Sequence, residues 1–184
     1  MPSRTRVLVL QHAQEARHAL NTGRLAVLGL PNSTLLVGET FPQLADVVAT
    51  APAAFVLFPG PEAMPPEPLG QLADRLGLQR QCKTDASPLL IVPDGTWRKA
   101  RKIVSANPVL QTLPRLCLGA GAPSRYRLRK TSEPNAVATI EAIVRTLSAL
   151  EPDTDFAPLL APFERLIDQQ ISAMGHETYA RHHA

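Results

Sequence analysis

The tetrapeptide Asp94-Gly95-Thr96-Trp97 joins a carboxylate to the only tryptophan of the chain. An apolar run, Leu89 to Val92, leads into it, and Arg98, Lys99, Arg101 and Lys102 follow it. A carboxylate in such a place can accept a proton or orient a polar substrate. An indole can wall a pocket or stack on a planar ring, and the helix start beyond it can hold an anion. The same residues have plainer uses. Asp-Gly is a turn signal, Asp94 or Thr96 can cap the next helix, and Trp97 can belong to the core.

Three further groups bear on chemistry. From Trp97 to Ser132 there is no Asp or Glu, while nine Lys and Arg residues fall in the same stretch. That block suits a polyanion such as nucleic acid, or else a solvated face balanced by acids from elsewhere. Within it Arg125, Arg127 and Arg129 alternate with Tyr126 and Leu128, followed by Lys130. An extended segment would set three guanidinium forks on one side, ready for phosphate or carboxylate, with Tyr126 available to stack on a base. Thr139 and Glu141 open an apolar helix; a buried Glu141 would need a partner, such as an upstream arginine, and an exposed one would not. His12, Glu15 and His18 do not share one helix face in the manner of a zinc motif, so no metal is expected. Cys82 and Cys117 lack the spacing of a metal site or a disulfide framework.

The elements that must position these groups follow from hydrophobic patterning. Short apolar runs at 6–12, 33–39, 53–60, 89–95 and 114–121 read as strands. Helical composition or spacing marks the first part of 14–30, then 42–51, 70–79, 96–107, 135–151 and 158–173, with Asn21-Thr22-Gly23 as a break and Pro108 as a stop. Residues 59–70 are proline-rich and read as an irregular lid or spacer. Alternating strands and helices predict an α/β fold with a mainly parallel sheet, whose ligands sit beyond the carboxyl ends of the strands. Asp94, the Pro59-Gly60 pair and the glycines after Leu118 all fall at such ends. The 184 residues, 45% hydrophobic, suit one domain over 1–184. No stretch is long and apolar enough to span a membrane, and the chain is expected to be soluble and cytoplasmic.

In order, HAQEARHALNTGRLAVLGLPNS, FVLFPG, LLIVPDGTWRKARKI and SRYRLRK…NAVATIEAI resemble the blocks of the DTW-domain proteins. The namesake Asp-x-Thr-Trp is Asp94 to Trp97, and the likeness runs from about residue 6 to about 150. Where the family commonly has His-Pro-x-Glu, this chain has His12-Ala13-Gln14-Glu15. Where it has Ser-Thr-Leu-Glu-Ala, this chain has Ala138 to Ala142, and the cysteine cluster that opens many members is absent.

The resemblance implies a SPOUT-like fold with a C-terminal knot. It also implies a tRNA-uridine aminocarboxypropyltransferase that uses S-adenosylmethionine as co-substrate and acts as a monomer without an obligate protein partner. Asp94 is then the base or orienting carboxylate, and Trp97 a wall of the cofactor pocket or a stacking platform for uracil. The cofactor would be held by Pro59, Gly60, Asp94, Gly95, Thr96, Leu118, Gly119, Thr139 and Glu141. The tRNA would be held by Arg98, Lys99, Arg101 and Lys102 with Arg125, Arg127, Arg129 and Lys130. Two other readings share these residues: a SPOUT-like RNA methyltransferase and a non-catalytic RNA-binding module.

Overall fold

The computed structural model describes residues 1–17, 20–77, 87–128 and 136–175. Five strands, β1 (Arg6–Gln11), β2 (Ser33–Val37), β3 (Ala54–Leu57), β4 (Leu89–Asp94) and β5 (Arg115–Leu116), form one sheet in the order β2-β1-β4-β3-β5. Every pairing is parallel, with Gln11 opposite Asp94 in the central pair. All strands therefore end at one edge, where Asp94 closes β4.

A parallel sheet is covered on both faces, which explains why its strands are apolar at consecutive positions. Val7, Val9, Leu90 and Val92 face one core layer, closed by α1 (Thr22–Gly29), α6 (Thr139–Leu150) and α7 (Ala161–Met174). Leu8, Leu10, Leu89 and Ile91 face the other, closed by α2 (Leu44–Ala49), α4 (Trp97–Ala106) and α5 (Val109–Thr112). One short helix, α3 (Leu69–Arg75), follows the proline-rich stretch. From edge strand β5 the chain comes back to the middle of the sheet, where α6 packs on α1 and β4.

Several expectations need correction. Asn21-Thr22-Gly23 is not a break but the start of α1, because the Asn21 side chain accepts from the Arg24 amide and caps the helix. Pro108 ends α4 but also opens α5, as proline suits a first turn. The strand expected over 114–121 shrinks to two residues, and Met64 of the proline-rich segment bridges to Leu116 beside it. Helix α6 begins at Thr139 rather than near 135, after an extended Ala138. Residues 124–128 form no strand. Arg125 and Arg127 nevertheless reach the same side, where Glu164 and Asp168 on successive turns of α7 meet them. His18, Cys82, Arg129, Lys130 and the C-terminal histidines lie outside the described residues.

Candidate active site

Asp94 is the last residue of β4 and is 7% exposed. Gln11, its partner in β1, donates from Nε2 to Asp94 Oδ2 at 2.7 Å. Thr139, the first residue of α6, donates from Oγ1 to Asp94 Oδ1. Gln11 is itself fixed by Asn21, which accepts from Gln11 Nε2 at 2.7 Å and donates from Nδ2 to Gln11 Oε1 at 3.0 Å. Gly23 in the first turn of α1 lies so near that a Cβ on it would meet Asp94 Oδ2 at 2.8 Å. The carboxylate thus sits beside the first turns of two helices, the end of a helix that favours negative charge.

The turn after Asp94 depends on glycine. Gly95 has φ +146°, and a Cβ there would lie 3.1 Å from Lys99 Cβ and 3.4 Å from Glu15 Cγ. Thr96, not Asp94, caps α4, accepting from the Lys99 amide at 3.4 Å. Trp97 then leaves the turn 40% exposed and tilted against Phe58, ring centroids 6.0 Å apart.

Two cavities meet at this turn, and Gly95 and Thr139 line both. The first, about 480 Å³, is polar where it touches Gln11, Asn21, Asp94, Thr96 and Thr139, and Tyr126 also lines it. The second, about 390 Å³, has mostly apolar side chains in its wall, among them Phe58, Pro59, Trp97, Leu116, Leu118 and Val137. Both volumes suit a small-molecule site.

Of the residues expected to hold a cofactor, Pro59, Gly95, Leu118 and Thr139 line the apolar cavity; Asp94, Gly95, Thr96 and Thr139 line the polar one. Gly60, Gly119 and Glu141 line neither. Gly60 instead packs under the Arg115 guanidinium. Glu141 is 2% exposed, and its partners are not a guanidinium. It accepts from Ser124 Oγ at 2.6 Å and from the amides of Arg125 and Ala138, each at 2.7 Å. It thereby ties the loop carrying Tyr126 to the start of α6.

The basic residues divide. Lys99 Nζ pairs with Glu15 at 2.6 Å and Lys102 Nζ with Glu39 at 2.7 Å. Glu39 also meets His12 Nε2 at 2.8 Å, and the hydrogen bond from Lys102 holds its carboxyl below the usual glutamate range. Arg125 and Arg127 pair with α7 as described. Among the described residues, no group of three or more His, Cys, Asp or Glu side chains could hold a metal. No helix among them is long and apolar enough to cross a membrane.

Gln11, Asn21 and Gly23 are site residues that sequence reasoning missed. The available signal was a polar residue closing an otherwise apolar strand, in the run Leu8-Val9-Leu10-Gln11.

Among known proteins, the chain is 30% identical to tRNA-uridine aminocarboxypropyltransferase A of Arabidopsis thaliana, over 83% of this chain and 65% of that protein. It is 26% identical to tRNA-uridine aminocarboxypropyltransferase 2 of Drosophila melanogaster, over 95% of this chain and 68% of that protein. The same identity holds for tRNA-uridine aminocarboxypropyltransferase 2 of Mus musculus, over 91% and 55%. The chain thus spans between 55% and 68% of the length of these relatives. No solved structure matches it significantly. The DTW domain family model matches residues 1–171, across both core layers and every element of the site, and the chain belongs to the DTW-domain family.

Proposed function

We propose that the chain is a tRNA-uridine aminocarboxypropyltransferase whose donor is S-adenosylmethionine. One observation carries this: a fixed carboxylate lines one of two cavities that share Gly95 and Thr139. A transfer between two bound partners needs such a junction, because the reacting atoms must be brought into line.

The apolar cavity suits the donor. Its walls come from the ends of β3, β4 and β5, and Trp97 and Phe58 offer aromatic surface to the adenosine. When bound, S-adenosylmethionine would supply an electrophilic γ-carbon and a methylthioadenosine leaving group. The bond from uridine N3 to that carbon forms as the carbon–sulfur bond breaks and its electron pair returns to sulfur. The polar cavity suits the acceptor base, with Tyr126 as its stacking surface. Asp94 takes the N3 proton as that bond forms. Each carboxylate oxygen already accepts one bond and keeps a second lone pair for the substrate. Target bases leave their stack to reach a pocket of this kind.

The fold is proposed to be SPOUT-like, with a C-terminal knot. The protein is proposed to be a single domain that works as a monomer in the cytoplasm without a metal.

The test is mass spectrometry after incubation with S-adenosylmethionine and unmodified tRNA. Methylthioadenosine and a modified uridine heavier by one aminocarboxypropyl group are expected. S-adenosylhomocysteine with a methylated nucleoside would instead assign a methyltransferase. Cofactor binding without any product on RNA would remove tRNA as the acceptor.

A further inference from the structure

The basic block of the sequence is one continuous stretch, but in space it separates into paired and unpaired cations. Lys99, Lys102, Arg125 and Arg127 each have a carboxylate partner. Arg98, Arg101 and Arg115 have none among the described residues. These three, together with Lys102, line one open groove of about 680 Å³, whose remaining walls include Phe58, Pro59, Ser105 and Gln111, and no acidic residue among the described residues lines it.

The groove is built from two elements. Arg98 and Arg101 are three residues apart on the outer face of α4, so they point the same way. Arg115 opens β5 across the groove, where its Nη1 donates to the Pro59 carbonyl at 3.3 Å. Gly60 is what lets it lie there, since a Cβ on Gly60 would come within 2.2 Å of that nitrogen. An arginine held against the backbone loses less freedom on binding an anion than a free one. Phe58 and Pro59 also line the apolar cavity, so the groove adjoins that cavity's mouth.

We propose that this groove carries the phosphodiester backbone of the RNA substrate, with Arg115 as a phosphate-binding residue beside Arg98 and Arg101. The paired Arg125 and Arg127 hold the loop to α7 and are not part of the track. The inference rests on the reading of the chain as a tRNA-modifying enzyme.

The experiment is tRNA binding by the full chain across salt concentrations, with S-adenosylmethionine binding measured by calorimetry. Arg115→Ala is expected to lower the slope of log affinity against log salt by about one unit. Between 50 and 200 mM salt that removes roughly a three- to fourfold share of the salt effect. Arg98→Ala and Arg101→Ala should each act alike, and cofactor affinity should stay unchanged. Arg115→Lys keeps the charge and should keep the slope, which separates phosphate contact from any damage to folding. Arg75→Ala, which removes a cation paired with Glu67 outside the groove, should leave the slope as it is.

An Arg115→Ala protein that binds tRNA with the unaltered slope would overturn the proposal. So would a loss of cofactor affinity in place of tRNA affinity, or a slope that resides in Arg125 and Arg127. Absence of all tRNA binding by the unsubstituted protein is a different result, and it would sink the transferase reading itself.

Discussion

At the scale of single residues, the carboxylate proposed to react is held by a small network of hydrogen bonds. Gln11 and Thr139 each donate to one oxygen of Asp94, and the Asn21 amide locks Gln11 in turn. Asp94→Asn keeps the shape but removes the charge and the proton acceptor. Transfer should fall by about 10²–10⁴-fold, the usual contribution of a positioned base, while calorimetry shows little change in cofactor binding. Undiminished turnover would remove Asp94 from the reaction. Gly23→Ala separates packing from chemistry. Alanine inside a helix ordinarily adds roughly 1 kcal/mol of stability over glycine. Here the new methyl would press on Asp94 Oδ2 at 2.8 Å and on Val9 Cγ1 at 3.2 Å. Methylthioadenosine release should therefore drop even where the melting temperature barely moves. Gly95→Ala should cost stability outright, roughly 1–3 kcal/mol in urea denaturation, because φ +146° is closed to a side chain.

At the scale of elements, Glu141 decides where α6 begins and where the 124–126 loop lies. Three donors converge on its two oxygens. Glu141→Gln sets an amide NH₂ against one of these donors. It should destabilise the fold by about 1.5–3 kcal/mol, the range for hydrogen bonds to a charged group, read as a lower urea midpoint. Activity should fall further than stability explains, because Thr139 stands two residues before it. The strands around this site were legible because a strand covered on both faces is apolar without alternation, as in Arg6–Gln11 and Leu89–Asp94. The carboxyl-end location of Asp94 followed from that alone. What stayed hidden was set by distant partners. Asn21-Thr22-Gly23 carries every local mark of a turn, yet its asparagine caps a helix and its glycine makes room for a carboxylate 71 positions later in the chain. Likewise the acids that neutralise Arg125 and Arg127 lie in α7, about forty residues downstream, beyond the reach of any local pattern.

At the scale of the whole molecule, the start of the chain is fastened to the far end of α6. Glu151 caps that helix and accepts from Ser3 Oγ at 2.8 Å and from the amides of Arg4 and Thr5 at 3.0 and 2.9 Å. Burial alone pushes its carboxyl up, but these hydrogen bonds outweigh burial and hold it below the ordinary value of 4.5. A carboxylate depressed in the folded state stabilises that state while it is ionised. Its contribution is full above the unfolded value, then fades as pH falls through the lower folded value. Melting temperature should therefore be flat from neutrality down to about pH 4.5 as far as this group is concerned, then decline. Glu151→Gln should melt lower at neutral pH and lose less on acidification than the unsubstituted chain. Some acid sensitivity should persist in it, because Glu39 is shifted in the same direction by Lys102 on the opposite side of the sheet. Equal acid slopes for the two proteins would mean that the anchor of residues 3–5 does not depend on the charge of Glu151. The clasp also bears on the site, since α6 carries Thr139 at one end and Glu151 just past the other. Loosening the far end should reach the transfer reaction only through that helix, so Glu151→Gln should lower turnover only at temperatures where the melting curve has begun to move.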